Sequence, residues 1–227
     1  MVSILFLILG FLVLLVIIAA GWLLWSVGHY REYWQRRASV SGQMVYVALG
    51  DSAAQGIGAT SPNRGYVGQV AKRLEAQSGK SVQVINLSKT GAKMADYLTE
   101  QAPKLQKLHP DIVTIEIGAN DIAVFNAKTF RAQFKQVLAT LPDGTYVANM
   151  PLFNSRPKLT PKAKEASVII EQELQTYPKL HFVNLEKQTS EHQNIFGFAP
   201  DFFHPNNLGY KNWTNAFWIE ISKAEQL

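Results

Sequence analysis

Val45-Tyr46-Val47-Ala48-Leu49-Gly50-Asp51-Ser52-Ala53-Ala54-Gln55-Gly56-Ile57-Gly58 is the stretch on which the reading of this chain turns. Five apolar residues in a row, without polar alternation, predict a strand buried on both faces, as in a parallel sheet. The run stops at Gly50, and Ser52 follows in a loop of small residues. Such a loop lets a side chain stand at the carboxyl edge of a sheet, where open α/β folds collect their ligands. Ser52 is therefore a candidate nucleophile. In isolation, a serine after a buried strand is more often a turn or helix-cap residue. The argument depends on whether the chain brings a base and an oxyanion site to the same edge.

Downstream, strand and helix signals alternate, which predicts a parallel sheet covered on both faces. The strand candidates are Val45–Leu49, Val82–Leu87, Ile112–Ile117, Thr145–Met150 and His181–Leu185. Tyr66, Val70 and Leu74 share one helical face, with Gly79 as a stop. Met94, Leu98, Ala102 and Leu105 make another, kinked or split by Pro103. Phe130, Phe134, Val137 and Leu141 make a third. Thr160-Pro161 reads as an N-cap hydroxyl followed by a first-turn proline, with Ala166, Ile170 and Leu174 continuing that helix. A last helix begins near Asn207, with Tyr210, Trp213, Phe217 and Ile221 facing inward. The expected fold class is α/β, a three-layer α/β/α domain with a five-stranded parallel sheet.

Before that domain, Val2 to Val27 carries no charged side chain. As a helix these 26 residues span about 39 Å, more than the ~30 Å hydrocarbon core of a bilayer. Trp22, Trp25, Tyr30, Tyr33 and Trp34 then occupy the place of an interfacial aromatic belt. Ala19-Ala20-Gly21 suits a cleaved signal peptide, but no Lys or Arg precedes the run and it exceeds a usual signal core. An uncleaved transmembrane anchor over 1–28, a juxtamembrane connector over 29–43 and a domain over 44–227 are expected.

Beyond Gln43 the net charge is only +3, too mild to argue for nucleic acid. Arg156, Lys158, Lys162 and Lys164 form the densest basic cluster, read as a solvated helix start or as a contact with anionic lipid. The chain has no cysteine, which suits either redox compartment. No His/Asp/Glu grouping has metal-site spacing, so no metal or cofactor is expected. No Gly-x-Ser-x-Gly occurs, and Gly56-Ile57-Gly58 lacks the rest of a dinucleotide fingerprint.

Four strand-end loops fall at one edge of the expected sheet. They are Gly50-Asp51-Ser52, the run from Asn86-Leu87-Ser88 to Gly91, Gly118-Ala119-Asn120-Asp121, and Asp201-Phe202-Phe203-His204-Pro205. A serine hydroxyl needs a base near neutral pH, and His204 can be that base. Asp201, three residues earlier, can reach the other ring nitrogen through a turn and fix the tautomer. The main-chain N–H groups of Ser52 and Gly91 and the Asn120 amide can supply an oxyanion site.

With these blocks in their order, the chain resembles the SGNH hydrolases, the GDSL-type esterases and lipases, over essentially all of residues 44 to 227. Carried over, the resemblance implies Ser52 as nucleophile, His204 as base, Asp201 as orienting acid, and Ser52, Gly91 and Asn120 as oxyanion donors. It also implies a flavodoxin-like sheet order 2-1-3-4-5 and a bracing role for Asp51. The first block continues Ala53-Ala54-Gln55 in place of the common leucine-containing form, which bears on substrate fit.

The expected activity is ester hydrolysis through an acyl-enzyme, on acyl esters of lipid origin. O-deacetylation of a cell-envelope glycan, or a catalytically silent binding module that keeps the fold, are the alternatives. Phe196, Phe198, Phe202 and Phe203 lie near His204 in sequence. They line an acyl pocket, dip toward a bilayer, or plug the core beneath the last loop. The expected partners are an acyl-ester substrate and the membrane. Arg31, Arg36 and Arg37 favour a cytoplasmic domain by the positive-inside rule, whereas family habit favours the outside, and both readings stand.

Overall fold

The computed structural model describes residues 2–153, 156–192 and 194–227; Met1, the first residue of the expected anchor, lies outside them. The chain opens in α1 (Val2–Ala38), one unbroken helix of 37 residues. It then enters β1 (Met44–Gly50), the short α2 (Ser52–Gln55), α3 (Tyr66–Ser78) and β2 (Val82–Asn86). Next come α4 (Met94–Asp96), a π-helical turn at Tyr97–Gln101, α5 (Ala102–Leu105), β3 (Ile112–Glu116) and α6 (Ala127–Leu138). β4 (Tyr146–Ala148), α7 (Thr160–Leu174), β5 (His181–Val183), α8 (Leu185–Glu191) and α9 (Gly209–Ala224) complete it.

The five strands pair in parallel in the order β2-β1-β3-β4-β5. Strand side chains alternate between faces, which sends Tyr46 and Ala48 of β1 into one layer and Val47 and Leu49 into the other. Tyr46 and Ala48 pack with Tyr66, Leu74, Trp213 and Phe217 from α3 and α9. Val47 and Leu49 pack with Ile115, Phe130, Phe134 and Ile170 on the α6 and α7 side. Both layers are apolar, so β1 needs no polar positions, and its uninterrupted run follows from that burial.

Several boundaries differ from the sequence reading. The π turn at Tyr97–Gln101 sits just before Pro103; a proline that lacks its N–H and crowds the preceding turn displaces the regular ladder there. α6 ends at Leu138, and Leu141 packs against the core from the turn that follows. Thr160 is the first residue of α7 rather than its cap, and its hydroxyl donates to the Phe153 carbonyl at 3.1 Å. β4 and β5 are three residues each, shorter than their apolar runs.

The largest difference is at the amino-terminal end. The stretch expected to be a connector is helical as far as Ala38 and lies on the domain. Tyr30 and Trp34 are buried. The Tyr30 hydroxyl donates to the Ala59 carbonyl at 2.5 Å, and the Trp34 indole N–H donates to the Gln55 carbonyl at 3.0 Å. Arg37 pairs with Glu75 at 3.1 Å. Positions 30, 33, 34 and 37 form one helical stripe, so Tyr30, Tyr33 and Trp34 face protein rather than a lipid headgroup belt. Above this stripe α1 is apolar and exposed, long enough to cross a membrane.

Candidate active site

The site begins with the exit from β1. Gly50 takes φ +139, and a Cβ there would run into the Glu116 backbone, so glycine is required. Asp51 caps α2, its Oδ1 accepting the Ala53 N–H at 2.9 Å. Ser52 is thereby the first residue of α2, at the carboxyl edge of the sheet.

The last loop is shaped by Asp201. Its Oδ1 accepts the N–H groups of Phe203 and His204 at 3.0 and 3.1 Å, the turn that the three-residue spacing called for. Oδ2 then meets His204 Nδ1 at 2.5 Å, and His204 Nε2 meets Ser52 Oγ at 2.9 Å. Nδ1–H donates to the carboxylate, which leaves Nε2 free to accept the serine hydroxyl. Burial pushes the Asp201 carboxyl up, but the bonds from the His204 ring and from the Phe203 and His204 backbone outweigh it and hold it below the usual carboxylate value.

Gly91 takes φ +79, on a loop whose preceding residues Gln55 holds. Gln55 Oε1 accepts from the Thr90 N–H at 3.1 Å and from the Thr90 hydroxyl, and its Nε2 donates to the Ser88 carbonyl at 3.2 Å. Among the described residues, the N–H groups of Ser52 and Gly91 find no protein acceptor. An unpaired N–H at a buried serine suits an oxyanion.

Asn120, expected as an oxyanion donor, reaches the same group of residues. Its amide is part of the cluster, but it donates to Asp51 Oδ2 and to the Ala92 carbonyl, each at 3.0 Å. In this structure it braces the first loop against the second, and neither amide hydrogen is free.

Three polar residues that support the site are not among the candidate site residues of the sequence analysis. Glu116, inside the apolar run of β3, is buried, and its Oε1 accepts the N–H groups of Asp51 and Ala54 at 3.3 and 3.2 Å. Burial, reinforced by the neighbouring Asp51 carboxylate, raises Glu116 well above the ordinary value. Burial raises Asp51 as well. Gln101 clasps Gly50 from both sides, Oε1 accepting its N–H at 2.9 Å and Nε2 donating to its carbonyl at 2.8 Å. Gln55 is the third. The only sequence signal was the polar character of these residues within otherwise apolar or small-residue stretches.

A cleft opens beside Ser52 and His204, walled by Pro151, Leu152, Phe153, Phe198, Phe203 and Trp213. Phe203 lies edge-on to the His204 ring at 5.0 Å, and the Arg156 guanidinium sits 4.1 Å over its face. Arg156 is thus tied to the site and is not merely a solvated residue ahead of a helix. Phe198 and Phe203 line the cleft, whereas Phe196 and Phe202 are 75% and 66% exposed; the four do not form a core plug. Among the described residues no group of three or more His, Cys, Asp or Glu is arranged to hold a metal.

A five-stranded parallel sheet with a hydroxyl–imidazole–carboxylate chain at its carboxyl edge defines a flavodoxin-like α/β fold carrying a serine-hydrolase type of site. Residues 48–211 match the GDSL-like Lipase/Acylhydrolase family, and the chain belongs to that family, the carboxylic ester hydrolases of GDSL type. No curated protein matches the chain at a significant level. Solved structures share its fold at low identity. Axe2, an acetylxylan esterase from Geobacillus stearothermophilus, is 19% identical with TM-score 0.63, over 79% of this chain and 94% of that one. A family 3 carbohydrate esterase from Clostridium thermocellum is 20% identical with TM-score 0.63, over 81% and 97%. The psychrotrophic esterase EstA from Pseudoalteromonas sp. is 21% identical with TM-score 0.61, over 81% and 99%.

Proposed function

We propose that residues 44–227 form a serine esterase that cleaves acyl esters of lipid origin and that α1 anchors it in a membrane. The observation that carries the chemistry is the Asp201–His204–Ser52 chain, with contacts of 2.5 and 2.9 Å. Ser52 Oγ attacks the ester carbonyl carbon as its proton passes to His204 Nε2. The carbon–oxygen bond to the leaving group then breaks, and the same proton goes to the departing alkoxide. Water attacks the acyl-serine, gives a proton to Nε2, and the acid leaves as Ser52 is reprotonated. Asp201 holds the ring and stabilises the imidazolium in both halves. The Ser52 and Gly91 N–H groups receive the oxyanion, while Asn120 keeps their loops in register.

The lipid reading is supported by the apolar cleft walls and by the exposed apolar length of α1. A second reading, removal of O-acetyl groups from a cell-envelope glycan, is favoured by Thr189, His192 and Asn212, which also line the cleft and could hold sugar hydroxyls. Fluorophosphonate labelling tests the chemistry: the wild type labels and Ser52→Ala does not. Retention of p-nitrophenyl ester hydrolysis by Ser52→Ala at the wild-type rate refutes it. A p-nitrophenyl ester series from acetyl to long chains separates the substrates, since deacetylation predicts a sharp preference for acetyl.

A further inference from the structure

Three carbonyls at the end of α2 and in the loop after it are held by aromatic side chains. Gln55, Ile57 and Ala59 are buried, and among the described residues no backbone N–H donates to their oxygens. A buried carbonyl needs a donor. The Trp34 indole N–H donates to Gln55 at 3.0 Å, the Tyr210 hydroxyl to Ile57 at 2.6 Å, and the Tyr30 hydroxyl to Ala59 at 2.5 Å. Two of these donors belong to α1 and the third to α9.

This loop touches both members of the reacting pair. It leaves α2 directly, and the Ile57 N–H donates back to the Ser52 carbonyl at 3.0 Å. Its other side lies against the base. A Cβ on Gly58, at φ +93, would stand 2.8 Å from the His204 Cβ and 2.4 Å from the Pro205 carbonyl oxygen. Gly56 also takes a positive φ, and two glycines give the loop a freedom that only its contacts remove. Drift of this loop would disturb the 2.9 Å contact between Ser52 and His204, and catalysis is steeply sensitive to such displacements.

α1 has a separate hold on the domain. Arg37 pairs with Glu75 at 3.1 Å and donates to the Val82 carbonyl at 3.0 Å, and the Gln83 amide donates to the Ala38 carbonyl at 2.6 Å. These contacts dock the helix without Tyr30 or Trp34. Attachment alone therefore does not account for two polar aromatic groups aimed at one loop.

We propose that Tyr30 and Trp34 are positioning residues for ester hydrolysis, fixing residues 56–59 and, through them, the Ser52–His204 pair. The catalytic unit then starts inside the amino-terminal helix rather than at β1. This rests on the esterase reading above and needs neither the lipid nor the membrane reading.

The experiment uses the full chain in detergent micelles with p-nitrophenyl acetate, at a temperature where circular dichroism shows each variant folded. Tyr30→Phe keeps the ring and removes only the hydroxyl. Tyr30→Phe combined with Trp34→Phe removes both donors, and Arg37→Met loosens the separate hold. The expected fall in kcat is ~5-fold or more for the single variant and ~10-fold or more for the double, with KM within ~2-fold of wild type. Fluorophosphonate labelling should slow in step, whereas Arg37→Met should lower Tm and keep its kcat. A smaller fall in kcat for Tyr30→Phe overturns the proposal, whether or not the double variant folds. An equal loss in Arg37→Met overturns it too, since docking of the whole helix would then set the rate. A wild type that neither labels nor turns over the ester overturns the esterase reading, and this proposal falls with it.

Discussion

Trp34, near the end of the long amino-terminal helix, donates its indole N–H to the carbonyl oxygen of Gln55, the last residue of the helix that carries Ser52, at 3.0 Å. The Gln55 side chain in turn holds Ser88 and Thr90, next to Gly91. One residue thus links the amino-terminal helix, the serine helix and the loop of an expected oxyanion donor. Gln55→Leu removes the side-chain bonds and leaves the Trp34 contact in place. It is expected to lower kcat about 10- to 100-fold by letting Gly91 drift, with KM little changed. Steady-state kinetics on a soluble p-nitrophenyl ester read that split; a rise in KM at constant kcat would show that Gln55 serves binding instead.

Glu116 gives the enzyme an alkaline weakness. Its folded-state pKa lies well above its ordinary 4.5, because burial and the Asp51 charge disfavour the ionised form. The stability owed to neutral Glu116 is whole below the unfolded value and is lost as pH rises toward the folded one. Glu116→Gln keeps the acceptor oxygen for the Asp51 and Ala54 N–H groups and supplies an N–H where the acid had its proton. The Tm of the variant is expected to fall less than that of the wild type as pH rises above the ordinary value of 4.5. Parallel Tm profiles would show that Glu116 is not the group responsible.

The way these residues were missed shows what a sequence carries. The position of β1 was legible because burial on both faces leaves an unbroken apolar run, and β3 breaks that pattern only at Thr114 and Glu116. The strand-end loops were legible because serine, asparagine, aspartate and histidine stand there among glycines. Glu116 was read as part of a buried strand, since nothing local says that a carboxyl is paired with Asp51 from another loop. The continuation of α1 to Ala38 was hidden by Arg31, Glu32, Arg36 and Arg37, which resemble a solvated connector. The stripe at Tyr30, Tyr33, Trp34 and Arg37 carried the helical signal, and only packing against Gln55, Ala59 and Glu75 gave it meaning. The partners of Asn120 were equally out of reach, because an amide with two donors can brace or present, and neighbours distant in sequence decide which.

Asn120 can be assigned by measuring stability beside rate. A side chain that only presents a hydrogen to an oxyanion would leave the unfolding midpoint in place when removed. Asn120 holds Asp51 and Ala92 together, so Asn120→Ala is expected to cost about 1.5–3 kcal/mol, the range for a hydrogen bond to a charged group. For a domain of this size that is a drop of several degrees in Tm. The rate should fall as well, since the Ser52 and Gly91 loops lose their brace. A slow variant with unchanged Tm would restore the simple donor role.

Asp201 both shapes its loop and orients His204, and one substitution separates the two roles. In Asp201→Asn the amide oxygen can still accept the Phe203 and His204 backbone N–H groups, which preserves the turn. The amide nitrogen then faces His204 Nδ1 and asks that atom to accept. The ring must place its proton on Nε2, which can no longer take the proton of Ser52. The expected result is a fall in kcat of about 10⁴-fold at neutral pH, a matching slowing of fluorophosphonate labelling, and a Tm close to wild type there. Below the ordinary carboxylate value of 3.8 the comparison changes. The depressed pKa of Asp201 means that its stabilising contribution is present above that value and is lost as pH falls through the folded one. The wild type should therefore lose stability with acid more steeply than the variant. Equal activity in the two proteins at neutral pH would show that the ring is oriented by something other than Asp201.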